Sequence, residues 1–196
     1  MNPDVKEAVN NGVFKSGKEH YILYGYKENR RPYADINRKD KVFYSINKKG
    51  LGLEIGPSHN PIAPKKDGYN VHILDHLSKN QLREKYKTQG VNIDNIEEVD
   101  FVWHGESYQD LIGKENYYDW IISSHVIEHI PDLISHLQQC EALLKPNGIL
   151  SLVIPDKRYC FDYFHPVSFT GEFLDAYIEK RIRPSTGHKF IIIFQI

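Results

Sequence analysis

The sequence holds only two cysteines, Cys140 and Cys160, in 196 residues. They form no CxxC pair and cannot scaffold a chain of this size, so the expectation is reduced thiols in a cytoplasmic protein. Net charge is also missing. With 25 basic residues against 26 acidic ones, no global field recruits nucleic acid or an anionic membrane. Long apolar runs are absent too. The longest purely aliphatic–aromatic run, FIIIF at 190–194, is far too short to span a bilayer, and the opening MNPDVKEAVNNG has no apolar signal core. No internal repeat or low-complexity tract stands out. The last deficit is local. The stretch GLGLEIGPSHNPI at 50–62 begins like a nucleotide-binding strand and turn but lacks the further glycines of a dinucleotide loop.

What is present changes texture near residue 50. Residues 1–49 carry helical patterns such as Val5, Ala8 and Val9, and later His20, Tyr21, Leu23 and Tyr24, broken by Gly12, Gly17 and Gly25. The polar segment ENRRPYADINRKDK reads as a connector. From there, short apolar runs alternate with amphipathic helices, the signature of βαβ units and a parallel sheet. Strands are expected at 51–56, 70–76, 96–103, 119–125 and 149–155. Ser78 and Gln81 have capping-box spacing before a helix. A second helix is expected from Pro131, its stripe Leu133, Leu137, Cys140 and Leu144 facing the sheet, with KPNG (145–148) ending it. The expected fold is therefore α/β, Rossmann-like and doubly wound with a mostly parallel sheet. It comprises a helical N-terminal segment (1–49) and a cofactor domain (50–196).

Right-handed crossovers would bring the carboxyl ends of these strands to one edge, where ligands bind in open α/β sheets. Gly56 arrives there without a Cβ, letting a ligand approach the backbone. Asp75 follows nineteen residues later, near the offset of about 20 at which an acid meets a ribose hydroxyl. Asp100, Phe101 and Val102 could flank an adenine, and Ser123, Ser124 and His125 close the fourth strand. The segment after Gly56 argues against a pyrophosphate, which needs a helix amino terminus with free N–H groups. Pro57, Pro61 and Pro64 each remove a donor, and Pro64 would interrupt that helix. S-adenosylmethionine carries no phosphate, and its amino-acid tail suits this turn.

From about residue 50 to 170 the chain resembles the class I S-adenosylmethionine-dependent methyltransferases. LEIGPSHNP is similar to their first motif, VHILDH to the acidic second-strand motif, YDWIISSHVIEHIPD to the fourth-strand motif, and LLKPNGILSLVIPD to the turn into strand five. The resemblance implies that Glu54, Gly56, Pro57 and Ser58 border the methionine part of the cofactor. It implies Asp75, with His76 beside it, at the ribose, Asp100, Phe101 and Val102 near the adenine, and Ser124 and His125 beside the sulfonium. Ser58 and Asn60 stand where the family commonly has glycines. NPDV and the following HY, G and ExR elements of the N-terminal stretch resemble a short helical segment that accompanies surface-polysaccharide enzymes. That would suit a glycan acceptor; a helical cap is the plainer reading.

Methyl transfer asks mainly for positioning, with a base near neutral pKa for a hydroxyl acceptor. His125 is the first candidate for that base, with His129 and then Asp156 behind it. His125 and His129 are four apart, which is also zinc-ligand spacing on a helix, but no third ligand has recognisable spacing, so no metal is expected. The aromatic run YCFDYFHPVSF (159–169) serves an acceptor pocket or the core. Methyl transfer to a small-molecule or glycan acceptor is the leading expectation. A binding module without turnover, an RNA methyltransferase and an NAD enzyme are the alternatives, and the oligomeric state is open. After the helix expected at 171–183, only KFIIIFQI follows. The family's sixth and seventh strands are therefore expected to be incomplete, and cofactor binding and activity weak.

Overall fold

The structure, a computed structural model, describes residues 3–25, 27–28, 38–160, 164 and 166–183. The chain divides into two compact units, Met1–Lys41 and Val42–Ile196. In the first, α1 (Pro3–Asn10) is followed by α2 (Gly17–His20), whose N-cap Ser16 accepts the N–H of Glu19 at 3.2 Å, and by one π-helical turn, Tyr21–Gly25. Phe14, His20 and Tyr24 form an aromatic group there, with ring centroids 4.9–6.0 Å apart. A short helix, α3 (Arg38–Val42), spans the division.

The second unit is a five-stranded parallel sheet, β1 (Gly52–Ile55), β2 (Val71–Asp75), β3 (Phe101–Val102), β4 (Tyr118–Ser124) and β5 (Leu144–Val153), in the order β3-β2-β1-β4-β5. The chain reverses its direction of travel across the sheet between β1 and β4, the switch point at which such folds bind ligands. Helices α4 (Lys79–Tyr86), α5 (Tyr108–Ile112), α6 (Leu133–Leu143) and α7 (Thr170–Ile178) complete the unit. Residues 42–49, which precede the cofactor domain expected at 50–196, belong to this unit.

Every residue of β1 is buried, as expected of a central parallel strand covered on both faces. Leu53, Ile55, Leu74 and Ile121 join Tyr108 and Ile112 of α5 and Cys140 and Leu143 of α6 in one core cluster. Val71, Trp120 and Ile122 join Val42, Phe43, Ile46, Ile62 and Ala63 in the other. Gly52 is glycine because the Trp120 ring lies where a side chain would go: a Cβ there would stand 2.1 Å from the indole. Asp119 staples the opposite end of the sheet. It accepts the Leu51 N–H at 2.8 Å and both its oxygens meet Lys145 Nζ at 2.9 and 3.0 Å.

Four elements differ from the sequence expectation. The third strand is only two residues long, because Glu97 accepts the backbone N–H groups of Lys65 and Lys66 at 2.7 and 3.0 Å and so holds the segment before β3 to a loop. The second helix starts at Leu133, after the N-cap Asp132, and it buries His136, Cys140 and Leu143 while Leu137 is exposed. Its inner face is thus rotated from the expected apolar stripe, since His136 finds a partner inside: Tyr108 Oη lies 2.9 Å from its Nδ1. In β5, Leu144 pairs with Tyr118 and the regular ladder resumes at Ile149 opposite Trp120, with 145–148 looped out between them. The helix expected at 171–183 ends at Ile178, and KFIIIFQI lies outside the described residues.

Burial lowers the pKa of His136 to about 4. The folded chain therefore holds it neutral where the unfolded chain, titrating near its ordinary value, takes up a proton. The stability this gives is present above about pH 6.5 and declines as pH falls toward 4. Urea unfolding should show the protein losing roughly 2 kcal/mol between pH 7.5 and 5 through this residue, and His136→Gln should flatten that part of the pH profile.

Candidate cofactor and active site

The site is built outward from Glu54, the central residue of the central strand. Its carboxylate is buried, at 2% exposure, and accepts two backbone N–H groups, Ile62 on Oε1 at 2.7 Å and Ala63 on Oε2 at 3.0 Å. These bonds hold the far end of the 56–63 segment against the sheet. At its near end Gly56 takes φ +64°, and its N–H donates to Leu74 O at 2.8 Å. A Cβ at Gly56 would stand 2.6 Å from Val126 Cγ2, so this turn and the segment after β4 are in direct contact. Pro57 O accepts the Asn60 N–H at 2.9 Å, closing a tight turn. Ser58 sits inside that turn in the left-handed region, at φ +48°, a conformation that costs a non-glycine residue energy and concentrates at functional sites.

The Ser58 N–H donates to Asp75 Oδ2 at 3.0 Å, joining the turn to the end of β2. Asp75 is buried, and its Oδ1 accepts the His76 N–H at 2.7 Å and meets His76 Nδ1 at 2.6 Å. The His76 ring is half exposed and its Nε2 lies 3.1 Å from Lys85 Nζ. In contrast, Ser58 Oγ and His59 Nδ1 are buried atoms without a hydrogen-bond partner. Leaving such atoms unpaired costs on the order of 1–3 kcal/mol each; Gln109 Oε1 in α5 is a third.

At the end of β4, Ser124 is followed by His125 at φ +55°, its N–H donating to Val153 O at 3.0 Å. The His125 side chain is 54% exposed, and its Nδ1 lies 3.5 Å from Oε1 of Glu128. His129 belongs to the short helical turn Ile127–His129, whereas His125 lies outside it, so the two do not share a helix face. The sequence-derived residues thus fall into two groups. Glu54, Gly56, Pro57, Ser58, Asp75, His76, Ser124 and His125 are linked through the 56–63 turn and its contact with Val126. Asp100 and Phe101 are engaged elsewhere. Asp100 accepts the Ile73 N–H at 2.7 Å and pairs with Lys65, and Phe101 packs edge-on against His72, with 5.6 Å between ring centroids. Val102 pairs with Asp75 in the ladder.

Two residues escaped the sequence reading. Glu128 is three positions after His125, a spacing that could have drawn attention to it. Trp103 follows β3 directly. Its N–H donates to Asp75 O at 2.8 Å, and it lines a cavity of about 520 Å³.

This edge suits an adenosyl ligand without phosphate. The chain after Gly56 offers no α-helix amino terminus: the next helical element is the single turn Lys65–Asp67, and α4 begins only after β2. A buried acid, a strained turn and two unpaired polar atoms meet there instead. Residues 26–184 match the family described as Methyltransferase domain. The chain belongs to that family, within the class I S-adenosylmethionine-dependent methyltransferases.

Over 107 residues it is 33% identical to the ubiquinone biosynthesis O-methyltransferase of Actinobacillus pleuropneumoniae serotype 7 (strain AP76), covering 53% of this chain and 44% of that one. Over 33 residues it is 52% identical to the enzyme of the same name from Histophilus somni (strain 2336), covering 17% and 14%. The chain spans less than half the length of these curated relatives. Among solved structures, a SAM-dependent methyltransferase from Aquifex aeolicus aligns over 73% of this chain and 78% of its own, at 15% identity and a TM-score of 0.46. A TehB-like SAM-dependent methyltransferase from Corynebacterium glutamicum aligns over 82% of each chain, at 13% identity and a TM-score of 0.44.

Proposed function

We propose that this chain transfers a methyl group from S-adenosylmethionine to a hydroxyl oxygen of a small-molecule acceptor. The observation that carries the reading is the bond from Ser58 N–H to Asp75 Oδ2, which ties a strained, partly unsatisfied turn to an acid at the carboxyl edge of a methyltransferase-family sheet. An oxygen acceptor is supported by the names of the curated relatives, both O-methyltransferases. A glycan hydroxyl is compatible with the same chemistry and with the NPDV-type stretch near the N-terminus.

In this reading Gly56, Pro57 and Ser58 hold the amino-acid end of the cofactor, with Ser58 Oγ finding its missing partner there. Asp75 holds the ribose. Three donors already use its carboxylate, and a carboxylate has about four lone-pair sites, so capacity remains on Oδ2. The adenine lies beside Val102 and Trp103, since Asp100 and Phe101 are turned to other partners. When bound, the cofactor supplies a methyl group already activated by the sulfonium charge. His125 takes the proton from the acceptor hydroxyl at Nε2, while Glu128 faces Nδ1 and orients the ring. Its left-handed backbone, held by the bond to Val153 O, presents the imidazole at the strand end. His129 is the weaker candidate because it lies inside the helical turn.

Asp75→Ala should weaken S-adenosylhomocysteine binding by about 1.5–3 kcal/mol, the range for hydrogen bonds to a charged group, as read by calorimetry on protein whose unfolding midpoint is measured in parallel. Unchanged affinity would remove the reading, and tighter binding of NAD than of S-adenosylhomocysteine would favour a dehydrogenase. A second variant separates binding from chemistry. His125→Asn should keep cofactor affinity and lower kcat by about 10²–10⁴; full turnover would show that the acceptor needs no base from this position, and binding without turnover in the unaltered chain would favour a binding module.

A further inference from the structure

The histidine next to Asp75 folds its ring back onto that acid. The His76 Nδ1 lies 2.6 Å from Asp75 Oδ1, and its Nε2 lies 3.1 Å from Lys85 Nζ. A lysine ammonium has three donors and no acceptor. It can bond to Nε2 only where that nitrogen keeps its lone pair, so a neutral His76 ring carries its proton on Nδ1. Nδ1–H therefore donates to Asp75 Oδ1. The tautomer is set from outside, by a residue nine positions along the chain.

Lys85 is delivered by α4, which is fixed independently of the edge. The Ser78 N–H donates to Gln81 Oε1 at 3.0 Å, Leu82 is buried, and Arg83 donates to Ile93 O and Asp94 Oδ1 at 3.2 and 3.1 Å. The last turn of this helix then meets the edge twice. Lys85 reaches His76, and the Tyr86 ring packs on His59 of the 56–63 turn, with 4.8 Å between ring centroids.

The donors on Asp75 can now be counted oxygen by oxygen. Oδ1 accepts two from His76, the backbone N–H at 2.7 Å and the ring Nδ1–H at 2.6 Å. Oδ2 accepts one, the Ser58 N–H at 3.0 Å. Each carboxylate oxygen has about two lone-pair sites, so Oδ1 is full and Oδ2 has one left. Vicinal hydroxyls meeting an unoccupied carboxylate could take one oxygen each. Here only one of them finds a place.

We propose that His76, held in its Nδ1–H tautomer by Lys85, is a positioning residue that limits Asp75 to one ribose hydroxyl of the cofactor, taken on Oδ2. The proposal rests on the reading that Asp75 holds the ribose of S-adenosylmethionine. It makes the site selective between the two hydroxyls, since one meets a charged acceptor and the other has no acceptor on Asp75.

Two measurements test it. The first needs no ligand: long-range proton–nitrogen NMR of the free, nitrogen-labelled chain above neutral pH, with the His76 signals assigned by their loss in His76→Ala. Nδ1 should be protonated and Nε2 not; Lys85→Met should mix the tautomers, and Lys85→Arg should keep the original one. The second is calorimetry with S-adenosylhomocysteine and its 2′-deoxy and 3′-deoxy counterparts. One deoxy compound should bind about tenfold or more weakly than the parent, the loss of one hydrogen bond to a charged group, and the other within about threefold of it. In His76→Ala, where Oδ1 regains a lone-pair site, both deoxy compounds should bind about tenfold more weakly than the parent. An Nε2–H tautomer in the free chain, a tautomer unmoved by Lys85→Met, or discrimination between the hydroxyls retained in His76→Ala would overturn the proposal. Failure of the unaltered chain to bind S-adenosylhomocysteine would remove the cofactor reading and this proposal with it, whereas binding with equal sensitivity to both hydroxyls would overturn this proposal alone.

Discussion

The arrangement depends on one buried carboxylate. Glu54 sits in the middle of the sheet with both oxygens committed to backbone N–H groups eight and nine residues ahead of it. A charge at that depth is tolerable only with such partners, and here the partners are the far end of the turn that leaves the strand. The sheet core and the turn are therefore one object. Ile62 and Ala63, fixed by those bonds, are also members of the core cluster built on Trp120 and Ile122. Rigidity in the core thus passes to the 56–63 turn without a helix to transmit it. This is how a chain with Pro57, Pro61 and Pro64 in this stretch can still present an ordered turn at its carboxyl edge.

The remaining contacts at the edge follow from that anchoring. With both ends of the turn fixed, Ser58 is held in a left-handed conformation where its N–H reaches Asp75, and Gly56 comes close enough to Val126 to exclude any side chain. Three strand ends are thereby connected: β1 through Gly56, β2 through Asp75 and β4 through the segment carrying His125. The two unpaired atoms, Ser58 Oγ and His59 Nδ1, lie in the same turn. Away from the edge, Asp119 is paired with Lys145 and His136 with Tyr108, while Gln109 Oε1 in α5 is a third buried atom without a partner.

Much of this was legible in the sequence. The apolar runs of β1, β2, β4 and β5 stand out because central parallel strands are buried on both faces, and GLEIG, ILD and WIISS show it directly. Gly56 and Asp75 were identifiable because their spacing reflects one βαβ-like step. What escaped the reading was decided by partners distant in sequence. The acids of IEEVD look compatible with a strand until Glu97 is seen to hold the N–H groups of Lys65 and Lys66, and nothing in the local pattern announces that. Both its place at the end of the third strand and the family resemblance put Asp100 at the adenine, yet its carboxylate is engaged by the Ile73 N–H and by Lys65. His136 broke the apolar stripe of α6 because its partner Tyr108 is 28 residues away. Side-chain commitment of this kind cannot be read from periodicity.

Glu54 is expected to order the turn before any ligand arrives, with the cofactor completing it. Hydrogen–deuterium exchange on the free chain and on the chain saturated with S-adenosylhomocysteine tests both halves. Slow exchange is expected at the Ile62 and Ala63 amides in both samples, with new protection appearing at Ser58, His59 and the residues just after Asp75 only when the ligand is present. Rapid exchange at Ile62 and Ala63 in the free chain, or an unchanged 57–60 segment under saturating ligand, would contradict it.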